Sequence, residues 1–434
     1  MSEPDAIDIG ARDFFTDESL LGDPYPYYES LRGQCPVHRE PHHGVVAITG
    51  YDEALHVYND SVAFSACNSP SGPFPGFPVP LEGDDVSDII EKYRHQLPLG
   101  VDLPTLDPPQ HTRARGLMLR LLTPKRLKEN EEYVGRLADR MLDDIVPRGE
   151  CEFIGAFADP YTCLVIADLL GVPEPDRLPL LEKRKAQVTR AGAVGADAKA
   201  LPPNHLAYLF DAFTSYVEER RREPRNDVLT GLATATYPDG STPSVVDVVR
   251  TAAFLFVAGQ ETTVRMLGFA LQFLAERPDL QELLRKERDR IPNFIEETLR
   301  VESPIKSNFR MARVPTNVAG VDVPAGTTVM FLNGAVNRDP RHFEHPHTFD
   351  VDRANARHHL AFGQGIHTCP GAPLARAEGR IAIERILDRT ADIRISERAH
   401  GPVGARRHEH SPSYLFRGLS NLHLEITPAG PKGG

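Results

Sequence analysis

The stretch AFGQGIHTCPGAPLAR, residues 361–376, sets one cysteine, Cys369, among glycines, prolines and a histidine. Four chemistries suit a lone thiol in so constrained a loop. A nucleophile needs a base, and His367 stands close by in sequence. A zinc ligand would recruit His358, His359 and His367, but adjacent histidines and a CxG turn do not match the usual zinc spacings. A merely buried thiol explains neither the glycines nor the helix that follows. An axial ligand of haem iron uses more of the loop. Gly363 and Gly365 let the backbone approach a flat group closely. The run GAPLARAEGRIAIERIL places a helix N-terminus beside the sulfur, where the dipole and free N–H groups favour a thiolate.

Upstream, the sequence predicts a long helix from Ser244, a good N-cap with Asp247 at N3, to about Arg277 before Pro278. At 1.5 Å per residue it would span roughly 50 Å. Its middle is apolar almost all round, so it should run through the core. Helical periodicity also covers 112–146 and 205–222. Strand signals are short: VVAITG at 45–50, the alternating 316–332, and NLHLEIT at 421–427. The Pro-rich 68–81 reads as a loop, and 191–203, AGAVGADAKALPP, as a flexible connection. The fold class is mostly α (α+β), with no linker or repeat to divide residues 1–434 into more than one domain.

Composition narrows the function. A formal net charge of −12 argues against nucleic-acid binding. No uninterrupted apolar stretch reaches the ~18 residues of a membrane span, and the acidic N-terminus lacks a signal-peptide pattern. The expected setting is cytoplasmic. Five scattered cysteines without a CxxC pair suggest neither a disulfide framework nor a zinc ribbon.

The run Phe362-Gly363-x-Gly365-x-His367-x-Cys369-x-Gly371-x-x-Leu374-Ala375-Arg376 resembles the haem-binding signature of the cytochrome P450 family, in its bacterial form. Other segments resemble the family in the same order. Glu297 and Arg300 of FIEETLR, with Arg353 of FDVDR, match its structural Glu-Arg-Arg triad. AGQETT, residues 258–263, resembles its oxygen-activation motif. HTRAR at 111–115 and FRMA at 309–312 fall where the family supplies cations to haem propionates. The resemblance implies a large helical domain with a long central helix and a small β-rich region.

It also implies haem b with Cys369 as axial ligand, in a bed of His111, Arg115, Ala258, Arg310, Phe362, Gly363, His367 and Gly371. Thr262 can bond back to the carbonyl of Ala258, kinking the helix. Glu261 and Thr262 resemble the acid–alcohol pair that feeds protons for dioxygen activation; an unpaired Glu in an apolar helix needs such a purpose or a partner. Pro370 departs from the family, which usually carries an aliphatic residue with an N–H there. Lacking that donor, it should leave the sulfur more electron-rich and the iron potential lower.

The implied reaction is hydroxylation or O-dealkylation of a hydrophobic small molecule: a terpenoid, steroid, fatty acid or aryl ether. The pocket wall would comprise Phe254, Val257, Ala258, Phe309, Leu415 and Phe416, with Lys306 and Asn308 beside them, and 191–203 as a lid. Lys306 is either a carboxylate anchor or, as is usual for lysine, solvent-facing. Electrons would come from NAD(P)H through a separate ferredoxin reductase and ferredoxin, docking on Arg113, Arg120, Lys125, Arg126, Arg376 and Arg380. The chain would act as a monomer. A peroxide-driven enzyme and a haem sensor remain as alternatives.

Overall fold

The computed structural model describes residues 9–187, 207–237 and 240–430. The expected flexible lid, 191–203, lies outside them. Helices dominate: α1 (Tyr51–Asn59), α2 (Gln110–Leu121), α3 (Pro124–Ile145), α4 (Asp159–Leu170), α5 (Ala207–Arg222), α6 (Val245–Glu276), α7 (Ile291–Val301) and α8 (Ala372–Arg389) form its frame. The strands are β1 (Val37–Arg39), β2 (Val46–Ile48), β3 (Phe64–Ser65), β4 (Glu150–Glu152), β5 (Ser307–Ala312), β6 (Thr316–Val318), β7 (Val321–Val323), β8 (Thr328–Leu332), β9 (Thr390–Ile395) and β10 (His423–Pro428).

The long helix forms as its sequence predicts. The Ser244 hydroxyl accepts from the Asp247 N–H at 3.1 Å, capping α6. Phe256, Met266, Leu267, Phe269 and Leu271 are buried on several sides of it, so α6 crosses the main core, packed by α4, α5 and α8. The helix expected over 112–146 is instead two. Pro124 cannot extend α2, and Thr123 restarts the chain by accepting the Arg126 N–H.

The larger sheet runs β1-β2-β8-β5-β3, antiparallel except for β2 with β8. A second sheet joins β4, β10 and β9, and β6 with β7 makes a hairpin. Strand β5 carries no apolar run and reads poorly from sequence, yet its alternation is regular. Asn308 and Arg310 take one face while Phe309 and Met311 take the other. That corrects the pocket wall. Phe309 is fully buried in a core with Phe15, Met330 and Tyr414, pressed against Gly72. Lys306 is neither in the pocket nor in solvent: it is buried, donates to the Leu20 carbonyl at 3.2 Å and lies over the Phe14 ring.

Candidate active site

The cysteine loop is shaped by glycine. Gly363 and Gly365 have φ of +66° and +70°, and a Cβ on Gly365 would come 2.5 Å from the Tyr58 carbonyl oxygen. The Cys369 N–H donates to the Phe362 carbonyl at 2.8 Å, closing the loop just ahead of α8. Burial pushes the Cys369 thiol up, opposed by the Gly371 N–H, by Arg115 and by the Ala372 N–H. Both N–H groups stand at the helix start, where donors lack intrahelical partners, and that of Ala372 also reaches the Cys369 carbonyl at 3.4 Å.

Cys369 opens onto a cavity of about 720 Å³. Phe254, Val257, Ala258, Glu261 and Thr262 reach it from α6, and Leu415 and Phe416 from the C-terminal segment. Phe362, Gly363, His367, Pro370 and Gly371 line it beside the sulfur, and Arg115 and Arg310 from α2 and β5. His111 does not line it. Its ring stands behind His367, centroids 4.2 Å apart, with Nε2 buried and unpartnered. Burial and then the neighbouring arginines pull His367 down to about 2, and burial and then Arg115 pull His111 to about 4.

Thr262 donates to the Ala258 carbonyl at 3.3 Å, as its place predicts, although α6 remains one continuous helix. Glu261 is not unpaired, since its Oε2 lies 3.4 Å from Arg265 Nη2 one turn on. The triad assembles. Glu297 accepts twice from Arg300 at 2.8 Å and once from Arg353 at 3.0 Å, and the two arginines also bind the carbonyls of Asn337, Pro346, Thr348 and Glu344.

Several site residues escaped sequence reasoning. Tyr58 lines the cavity, donates to Asn308 Oδ1 at 2.9 Å and stacks on Phe331; no motif marks it. Glu296 takes Arg376 at 2.6 and 2.9 Å and His359 at 3.1 Å. That engages His359 with a carboxylate, and among the described residues no cluster of three or more His, Cys, Asp or Glu side chains could hold a metal ion. It also removes Arg376 from the expected docking patch, as Glu131 and Glu384 remove Arg380. Glu378 lines the cavity fully buried, and burial alone pushes its carboxyl well above the usual carboxylate range.

A cytochrome P450 family model matches residues 203–390. Cytochrome P450 144 of Mycobacterium tuberculosis is 35% identical over 426 residues, covering 96% of this chain and 92% of that protein. The chain belongs to the cytochrome P450 family. The cytochrome P450 monooxygenase PikC of Streptomyces venezuelae is 31% identical, covering 98% of this chain and 95% of its own. The solved substrate-free Mycobacterium marinum cytochrome P450 CYP150A6 shares 55% identity at a TM-score of 0.91, over 97% of this chain and 100% of that one.

Cytochrome P450s are haem-thiolate monooxygenases with a cysteine axial ligand, and the residues present fit that group. Among the described residues neither Arg115 nor Arg310 forms an ion pair, though both face the cavity and Arg310 is buried. Of the two cavity-lining carboxyls, burial pushes Glu378 towards its neutral form and Glu261 is paired with Arg265. The cavity therefore holds uncompensated positive charge, matching the propionates of haem. Burial raises the Cys369 thiol, and haem iron bound there would supply the cation that favours its thiolate. No described helix is long and apolar enough to cross a membrane.

Proposed function

We propose that this cytochrome P450 monooxygenase hydroxylates or O-dealkylates a hydrophobic small molecule of the terpenoid, steroid, fatty-acid or aryl-ether kind, with electrons delivered by a ferredoxin and its reductase. The observation that carries the reading is that one cavity receives both the Cys369 loop and the Ala258–Glu261–Thr262 segment of α6. Haem held there by Cys369 supplies the dioxygen activation and the oxidising chemistry.

Arg115, Arg310 and His367, with His111 behind, would hold the propionates of the group. Gly363, Gly371 and Phe362 leave it room. Ala258, with its small side chain, keeps α6 from filling the cavity. The Thr262 hydroxyl and Glu261 carboxylate hold and move protons on the cavity side of α6. Phe254, Val257, Leu415 and Phe416 exclude water and select apolar molecules, and Asn308 faces the cavity from β5 with its carbonyl oxygen occupied by Tyr58. The solved cytochrome P450 CYP109E1 of Bacillus megaterium binds testosterone and corticosterone, which makes steroids the first class to try.

The test has two arms. The reduced, carbon monoxide-treated protein should show the red-shifted Soret band of thiolate-ligated haem, and Cys369→Ser should abolish it. A panel of steroids, terpenoids and fatty acids then reveals the substrate class by the Soret shift on loss of iron-bound water. A wild-type spectrum resembling a histidine-ligated haem would overturn the assignment.

A further inference from the structure

The Glu261 carboxylate has a neighbour whose placement is set elsewhere in the chain. Arg265 lies one turn further along α6, its Nη2 3.4 Å from Glu261 Oε2. Its Nη1 donates to Ser411 Oγ at 2.8 Å, and the guanidinium lies over the Phe416 ring at 5.0 Å. The aliphatic stem rests on Gly418, where a Cβ would come within 2.5 Å of Arg265 Cγ. Ser411, Phe416 and Gly418 all belong to the C-terminal segment that helps wall the cavity.

These contacts are unequal. The bond to Ser411 is short, the ring and the glycine fix the stem, and the contact to Glu261 is long for a charged hydrogen bond. The guanidinium is thus seated by the C-terminal segment, and the Glu261 carboxylate takes its direction from that seat. Glu before Arg at i,i+4 is the favourable order on a helix, and burial strengthens the attraction. Arg265 is mostly enclosed, with Nε buried and without a partner, so no other carboxylate among the described residues competes for it.

We infer that Arg265 is the positioning residue of the proton-delivering carboxylate, holding Glu261 aimed along the cavity wall from a seat on Ser411, Phe416 and Gly418. This rests on reading Glu261 as that acid. A molecule that fills the cavity presses on the same segment, so occupancy and proton delivery share one joint.

The test uses the haem-loaded enzyme with spinach ferredoxin, its reductase and NADPH, without added substrate, following dioxygen consumption in water and in deuterium oxide. Dioxygen leaves either as hydrogen peroxide, with two electrons and two protons, or as water, with four of each; both routes need protons. Glu261→Gln and Arg265→Gln should each slow consumption at least about tenfold, within what a displaced proton-transfer group costs. Each should raise the solvent isotope effect and leave the rate of iron reduction under carbon monoxide unchanged. Arg265→Lys should restore part of the rate, and Ser411→Ala should show the same change more weakly. The thermal midpoints of Glu261→Gln, Arg265→Gln and the double variant should be non-additive.

If Glu261→Gln leaves rate and isotope effect at wild-type values, the reading of Glu261 fails. If Glu261→Gln is impaired while Arg265→Gln and Ser411→Ala match wild type, the inference about Arg265 fails alone. Should Arg265→Gln not fold, Ser411→Ala and Gly418→Ala, which unseat the guanidinium without removing it, decide the matter.

Discussion

The Cys369 sulfur takes its backbone support from the N–H groups of Gly371 and Ala372, and Pro370 between them and the ligand has none to offer. Replacing it with leucine adds an N–H beside the sulfur and withdraws electron density from it. Pro370→Leu should therefore raise the ferric/ferrous potential in a redox titration while leaving the Soret band in place; an unmoved or lowered potential would discard the idea. At this scale the sequence was most readable where a side chain has one job. Cys369, Thr262 and the Glu297 triad stand where their motifs put them. Phe309 and Lys306 do not. Strand alternation sends Phe309 to the opposite face from Asn308 and Arg310, and no local pattern reveals that the Lys306 amine ends beneath the Leu20 carbonyl.

Among the elements, the clearest coupling is between α7 and α8. Glu296 on the first grips Arg376 on the second, and His359 ahead of the cysteine loop joins them. Burial would raise the Glu296 pKa, but the hydrogen bonds of His359 and Arg376 overcome it and bring it from 4.5 down to about 2. A carboxylate whose folded pKa is depressed stabilises the protein above its unfolded value and loses that contribution as pH falls between the two. Glu296→Gln should thus lose about 3–5 kcal/mol at pH 7, as removal of one buried ionic partner costs. Its deficit should shrink as urea titrations are carried from pH 5 towards 3. Boundaries were the less legible part of the elements. The Pro124 break between α2 and α3 was there to be seen, but an unbroken apolar period hid it. The short strands β1, β3 and β4 carry too few residues to make a pattern, since their stability comes from neighbours distant in sequence.

For the whole molecule, a net charge of −12 makes any basic face a directional signal. The face once expected to hold six free cations is smaller. Arg376 and Arg380 are committed to carboxylates, Arg113 lies over Tyr237 at 3.7 Å and Lys125 stands 3.9 Å from Glu129, leaving Arg120 exposed and Arg126 half-buried. Arg120→Glu should slow reduction by the proposed ferredoxin about tenfold at low salt, with the gap closing as salt screens it. An unchanged rate in stopped-flow mixing would place the docking surface elsewhere. The sealed amine of Lys306 has a consequence of its own for the chain's outer layer. Burial, and then Arg417, bring its pKa from 10.5 to about 7. Between those values the amine is neutral while Phe14 and Leu20 cover it and charged once they lift. Each detachment of the N-terminal segment therefore captures a proton, and the segment clings more firmly as the medium grows alkaline.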